Sequence, residues 1–244
     1  DIQEGLDYAK MTLALREKTM PEIHPLMSQA CSVLARAHIA FGTEEHIEQA
    51  ELVAKRGLEI DKALGESGKR TLPYTLEQLA LIARSKGDLA QVATYLEQAY
   101  NTRIATLGKV HAHTLMVQTN LAGVLMHQGY ADRAVEVLLE LEKNVKLMEE
   151  PDPYVQLASQ RLLAEHYRKN GQSAKRESAL SELEGLLGQI PEEAQQNDES
   201  RFELIRTRYT LGMQERAIAQ AKQLLEDASP TTALRIRLWL KDVQ

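Results

Sequence analysis

The chain has very little cysteine and no long apolar run. Cys31 is the only cysteine among 244 residues. A single thiol excludes an internal disulfide framework and favours a reducing, cytoplasmic location. Cys31 lies in an apolar helical stretch, which predicts a buried and inert thiol. No run approaches the ~18 apolar residues of a membrane helix, and no basic-then-apolar segment opens the chain, so we expect neither a membrane span nor a signal peptide.

Signatures of catalysis and of metal binding are also missing. The motifs CxxC, HExxH, GxSxG and GxGxxG do not occur. Gly65–Lys69 (GESGK) has the wrong glycine spacing for a P-loop, and Arg70 stands where that loop needs Ser or Thr, so an inter-repeat turn is predicted. His111 and His113 lack the three- or four-residue spacing of a helical metal pair, and a structural or solvated role is favoured. We expect no enzyme, no cofactor and no metal site.

The net charge limits the possible functions of this protein, and the proline content limits its possible fold class. The formal net charge of −6 argues against nucleic-acid binding through this region. Seven prolines and few strand-like runs indicate an all-α protein.

What the sequence does contain is a repeat of a small residue and a glycine. Ala35, Ala80, Ala122 and Ala164 each precede a glycine by seven positions, and Gly212 continues the series. Successive glycines are 45, 42, 42 and 41 residues apart. A fixed period in this range is typical of helical arrays. The small residue lets two helices approach closely, and the glycine supplies the left-handed backbone that ends the first helix.

Two stretches resemble tetratricopeptide repeats (TPRs): 79–99 (LALIARSKGDLAQVATYLEQA) and 121–141 (LAGVLMHQGYADRAVEVLLEL). The period exceeds the usual ~34 residues and is similar to that of kinesin-light-chain repeats, as are Leu13–Pro25 (LALREKTMPEIHP) and the matching loops. The resemblance implies an all-α, right-handed α-solenoid. It would hold about five TPR-like helix-turn-helix repeats, an N-terminal half repeat and a C-terminal capping helix.

The expected boundaries follow from the glycine series. They are a half repeat at 1–25, repeats at 26–67, 68–109, 110–150, 151–190 and 191–229, and a cap helix at 230–244. Residues 43–45 are expected as extra turn residues, and the polar stretch 191–200 as a loop or joint. The half repeat would leave an apolar face without a partner. The sequence is therefore expected to be a fragment of a longer protein, unless its first helix is a natural cap.

The resemblance also implies a binding surface. First helices line the concave side of such arrays. Peptides bind there mostly at the positions three before, one after and four after the small residue. The groove predicted in this way contains Arg36, Glu77, Arg84, Thr119, Asn120, Met126, His127, Arg161, Glu165, Arg168, Lys169 and Arg206.

Basic residues dominate this predicted groove, with only Glu77 and Glu165 opposing them. Arginine suits bidentate recognition of carboxylates, so an acidic peptide or the C-terminus of a polypeptide is one predicted ligand. The alternative is a solvated face on which Glu165 neutralises Arg161 and Lys169, each four residues away.

The predicted function is a protein–protein interaction or sensing module without catalysis. The resemblance suggests the regulatory or docking part of a larger bacterial signalling protein with a kinase, NTPase or DNA-binding domain. The alternatives are a free-standing adaptor, or a receptor for a small molecule or short signalling peptide with Tyr74, Met116 and Met126 around its pocket. Self-association through the open face of the first helix is a further expectation. The last helix is expected to pack Trp239 on the fifth repeat, with Arg235, Arg237 and Lys241 facing water.

Overall fold

The computed structural model describes residues 2–190 and 197–243, which form helices and no strand. The helices are α1 (Ile2–Thr19), α2 (Pro25–Ile39), α3 (Glu44–Ala63), α4 (Leu72–Ser85), α5 (Leu89–Leu107), α6 (Ala112–His127), α7 (Ala131–Val145), α8 (Pro153–Lys169), α9 (Ser173–Gln189), α10 (Asp198–Thr210), α11 (Gln214–Asp227) and α12 (Pro230–Val243). A 3-10 helix, Gly65–Arg70, joins α3 to α4. The prediction of an all-α solenoid of helix pairs is confirmed.

The protein consists of two compact units, Asp1–Gly108 and Lys109–Gln244. The N-terminal unit contains α1 to α5, and the C-terminal unit contains α6 to α12. Each has its own apolar core. One core cluster of the N-terminal unit joins Leu6 and Leu13 of α1 to Met27 of α2, and in the C-terminal unit Leu157 packs with Leu183 and Leu204.

The glycines of the repeat end the first helices, as their spacing predicts. Gly42, Gly87, Gly129, Gly171 and Gly212 all have positive φ, between 65° and 97°. At Gly87 this conformation lets the amide of Asp88 turn back and donate to the carbonyl of Ala83 at 2.9 Å. A residue with a Cβ in the left-handed region would cost about 1–2 kcal/mol. The small residues before these glycines, such as Ala35 and Ala122, are fully buried.

The histidines of the inter-repeat loops cap helices. His24 Nδ1 accepts a hydrogen bond from the amide of Leu26 at the start of α2, at 3.1 Å. His111 Nδ1 accepts one from the amide of His113 at the start of α6, at 3.2 Å. Both side chains satisfy an amide that the helix itself leaves without a partner. His111, for which a structural or solvated role is expected, is thus the exposed cap of α6.

Residues 43–45 form the N-cap and the first residues of α3, whereas the sequence predicts that they lengthen the turn before that helix. Thr43 is the N-cap of α3, and its hydroxyl oxygen accepts from the amide of His46. Glu44 and Glu45 form the first turn, where acidic side chains interact favourably with the helix dipole.

Burial accounts for the behaviour expected of Cys31. Its side chain is fully buried on α2, and this burial is the main reason that its pKa rises to about 11. The thiol is therefore protonated at neutral pH, which makes it a poor nucleophile. The predicted burial of the thiol is confirmed.

A buried carboxylate anchors the 3-10 helix of the N-terminal unit. Asp61 is 2% exposed and accepts hydrogen bonds from the hydroxyls of Thr71 and Thr75. The carbonyl oxygen of Asp61 also lies 2.1 Å from where a Cβ on Gly68 would stand. The close approach of these two backbone segments requires glycine at position 68.

The C-terminal elements partly follow the predictions. Residues 191–196 of the predicted loop lie outside the described residues, whereas Asn197 caps α10 and Asp198–Ser200 are already helical. Trp239 of α12 packs edge-on against Phe202 and Tyr209 of the fifth repeat, as expected. The prediction that Arg235 faces water is wrong, because its guanidinium pairs with two glutamates of α10. Among the described helices, none is both long enough and apolar enough to cross a bilayer.

Candidate interaction site

Three arginines of the C-terminal unit surround one buried glutamate. Arg206 donates to Glu203 Oε1 at 2.6 Å within α10. Arg161 of α8 donates to Glu203 Oε2 at 3.5 Å, and Arg235 Nη2 of α12 lies 3.5 Å from Oε1. Because α8, α10 and α12 pack side by side, this arginine cluster links helices from successive positions of the repeat.

The arginines keep Glu203 ionised. Burial of this carboxyl, which is 8% exposed, would raise its pKa, but Arg206, Arg161 and Arg235 together outweigh burial and lower it to about 2. Arg235 also pairs with the exposed Glu199. Arg161 is 6% exposed, and its Nε has no hydrogen-bond partner among the described residues.

The same face of α8 carries more of the predicted groove. Glu165 and Arg168 follow Arg161 by four and seven residues, which places all three on one side of the helix. Lys169 Nζ lies 3.2 Å from Glu165 Oε1. Burial would raise the pKa of Glu165, but Lys169, Arg161 and His127 together lower it. The negative charge of Glu165 is therefore balanced by its basic neighbours, whereas the side chain of Arg168 is exposed.

The groove positions on α6 differ in what they can offer. Thr119 is 7% exposed, and its hydroxyl donates to the carbonyl of Leu115 at 2.9 Å. Met126 is half-buried and packs on Leu138 and Leu162. Asn120 and His127 are exposed. Thr119 and Met126 thus serve mainly the packing of the helices, while the other two can reach a ligand.

In the N-terminal unit, the predicted groove acid is already occupied. Glu77 Oε1 accepts from Arg103 Nε at 3.0 Å and from Nη2 at 2.6 Å. Arg103 is only 1% exposed, and its guanidinium lies 4.8 Å from the ring centroid of Tyr74. Arg36 is exposed and Arg84 is half-buried. Tyr74, one of the residues predicted around a ligand pocket, stacks on this arginine.

Sequence reasoning overlooked Glu203 and Arg103, and it placed Arg235 in water instead of beside Glu203. One signal pointed near the first of them: Arg161 and Glu203 are 42 residues apart, one more than the 41 residues between Gly171 and Gly212, the glycines of their own two repeats. Residues about one period apart lie close together on neighbouring first helices, but the offset of one position keeps this pair from appearing as equivalent residues.

The fold and the period of its repeats define the class of this protein. Pairs of helices, closed by glycine turns and repeated at intervals of 41 to 45 residues, make it a TPR-like repeat protein. Proteins with such repeats generally act as scaffolds for protein–protein interaction. The sequence matches no protein-family model, and a search of curated proteins finds no match.

Solved structures support this classification. A kinesin light chain from Podosopora anserina with nearly identical TPR-like repeats, solved as a variant, aligns with a TM-score of 0.65 and 26% identity over 76% of this chain and 86% of that one. Another structure of that protein aligns with a TM-score of 0.57 and 23% identity, over 88% of this chain and 97% of that one. BtubC (BKLC) from P. vanneervenii aligns with a TM-score of 0.69 and 14% identity, over 98% of this chain and 92% of that one.

Proposed function

We propose that this protein is an interaction scaffold whose C-terminal unit binds an acidic segment of a partner protein. The observation that carries the proposal is the arginine cluster of Arg161, Arg206 and Arg235 around Glu203. In a protein of net charge −6, three arginines brought together from α8, α10 and α12 are a specific feature. The wider role, as docking or sensing part of a larger signalling protein, rests on the repeat resemblance alone.

The cluster favours a carboxylate ligand for a chemical reason. Arginine presents its N–H groups as a planar fork that matches a carboxylate. Glu203 holds the three guanidinium groups in place without neutralising all of them, so little ordering is needed when a ligand binds. Arg168, exposed on the same face of α8 as Arg161, supplies a further cation that an acidic side chain can reach.

Arg168→Glu tests the proposal without disturbing the buried cluster. The probe is a fluorescein-labelled peptide rich in glutamate, titrated with the protein of 244 residues and followed by fluorescence anisotropy. We expect the substitution to weaken binding by about tenfold, since it replaces an attraction by a repulsion. Raising the salt concentration should weaken binding to the unchanged protein, because exposed charges are screened.

Lys222→Glu is the matched control, because it makes the same change of charge at an exposed position on α11. Its affinity for the peptide should stay within about twofold of the unchanged protein. A peptide with glutamine in place of glutamate should bind far more weakly. Equal binding of the two peptides, or equal losses with Arg168→Glu and Lys222→Glu, would sink the proposal.

A further inference from the structure

A cleft of the C-terminal unit lies between α7, α8 and α9. It encloses about 410 Å³, within the range of roughly 300–1,000 Å³ that is usual for small-molecule sites. On α8 the cleft is lined by Gln156, Ser159 and Gln160. At 100° per residue, these three face away from the side that carries Arg161 and Arg168. The cleft is thus separate from the arginine cluster.

Two carboxylates give the cleft a negative character. Glu142 of α7 and Glu182 of α9 both line it, and among the described residues that line it Lys146 is the one cation. Gln160 Nε2 donates to Glu142 Oε1 at 2.7 Å. Burial raises the pKa of Glu142, and the charge of Glu182 raises it further, while Lys146 acts in the opposite direction. The charge of Lys146 thus does not offset the effects of burial and of Glu182 on the Glu142 carboxyl.

A buried hydroxyl in the cleft independently indicates a ligand. Ser159 is 1% exposed and lines the cleft, and its Oγ has no hydrogen-bond partner among the described residues. Buried hydroxyls nearly always have a partner, because burying one without compensation is unfavourable. A donor that enters the cleft would supply the missing hydrogen bond.

We propose that this cleft binds a small primary alkylamine. An ammonium group has three N–H donors and no acceptor, which suits Glu142, Glu182 and the hydroxyl of Ser159. The alkyl part of the ligand would pack on Leu141, Val145 and Leu186, the apolar lining residues. The ammonium charge would relieve the repulsion between the two glutamates.

Gly185 offers a way to block the cleft without damaging the fold. It lines the cleft on α9, and a Cβ built on it meets nothing within 4 Å. Leucine at this position would therefore extend into the cleft. Gly188→Leu is the matched control, because a Cβ at Gly188 also meets open space and Gly188 is not among the lining residues. Both changes replace a glycine in α9 by a better helix former, so neither should lower the melting temperature.

The probe is 1,5-diaminopentane, titrated into the protein of 244 residues and followed by calorimetry. We expect saturable binding that weakens by about tenfold or more in Gly185→Leu and changes by less than about twofold in Gly188→Leu. The double variant Glu142→Gln, Glu182→Gln should weaken binding to a similar degree. Pentanol, which has the same apolar carbons without the charge, should bind much more weakly.

Several results would overturn the assignment. These are the absence of diamine binding to the unchanged protein, binding of pentanol as tight as that of the amine, and equal effects of the two leucine substitutions. A lysine residue blocked at both ends presents the same ammonium group on a peptide backbone. Tight binding of this compound without binding of the diamine would mean that the cleft takes a side chain of a protein partner, and would reject a free amine.

Discussion

At the scale of single residues, buried charge distinguishes this protein from a plain apolar repeat. Glu203, Arg161 and Arg103 are all at most 8% exposed. Burying an ion is costly unless a partner and hydrogen bonds compensate for the lost hydration. Each of these side chains has such a partner. Removing one member should therefore leave an uncompensated charge behind.

Glu203→Gln is the direct test of this compensation. It should lower the free energy of unfolding by about 3 kcal/mol at pH 7, because three arginines then lose their buried counter-charge. The pKa of Glu203 is about 2 in the folded protein, against an ordinary value of 4.5. A carboxyl whose pKa falls on folding stabilises the fold above its ordinary pKa, and this contribution is lost as the pH falls from 4.5 towards 2.

The measurement is urea denaturation followed by circular dichroism at pH 7, 4 and 3. The difference between the unchanged protein and Glu203→Gln should be largest at pH 7 and should shrink at pH 3. Glu199→Gln is the control, since the side chain of Glu199 is 55% exposed in its pair with Arg235, and such pairs contribute only about 0–1 kcal/mol. A difference that is independent of pH would contradict the assigned role of the Glu203 carboxylate.

The predicted groove shows which residue positions sequence reasoning could locate. Arg161 and Arg206 were found, but Glu203 between them was not. The other repeats have alanine seven positions before the glycine, whereas Ile205 occupies that place before Gly212, so the fifth repeat could not be aligned with certainty. Ion pairs between helices depend on that alignment, because a shift of one residue turns a side chain by 100° around the helix.

At the scale of elements, helix ends were the most predictable feature, because their causes are local. The glycines with positive φ and the loop histidines act on amides within a few residues. The start of α3 was misplaced, since Thr43 and the two glutamates after it also suit a turn. Residues of these types can form either a turn or the cap and first turn of a helix, so the local sequence does not decide between the two structures.

The 3-10 helix between α3 and α4 provides a sharp prediction at this scale. Gly68→Ala places a Cβ 2.1 Å from the carbonyl oxygen of Asp61, so the backbone must move. That movement strains the hydrogen bonds of Asp61 with Thr71 and Thr75. We expect a loss of about 2 kcal/mol or more in the free energy of unfolding, measured by urea denaturation.

Gly185→Ala is the matched control for that change. The substitution is the same, but a Cβ on Gly185 of α9 meets open space. Alanine is favoured over glycine in a helix interior by up to about 1 kcal/mol. Gly185→Ala should therefore stabilise the protein slightly. If Gly68→Ala also had no cost, the close approach of the two backbone segments would not be a requirement of the fold.

At the scale of the whole molecule, each of the two units has its own cluster of hydrogen bonds around a buried carboxyl side chain. Asp61 is bound by threonines in the N-terminal unit, and Glu203 is bound by arginines in the C-terminal unit. In repeat proteins each repeat packs only on its neighbours, so stability is close to a sum of local terms. Damage to one cluster should therefore stay local.

Hydrogen exchange on the protein of 244 residues, followed by mass spectrometry, tests this locality. Gly68→Ala should raise the exchange of amides in α3 and α4, because Asp61 and its threonine partners belong to those helices and the loop between them. It should leave α10 and α12 unchanged. Glu203→Gln should do the reverse, with faster exchange in α8, α10 and α12, the helices that its arginine partners occupy. Amides far from the altered residue exchange by openings that do not involve it, so their protection is insensitive to the change. A uniform rise over all helices in either variant would show instead that the protein opens as one cooperative body, and the picture of locally stabilised repeats would then be wrong.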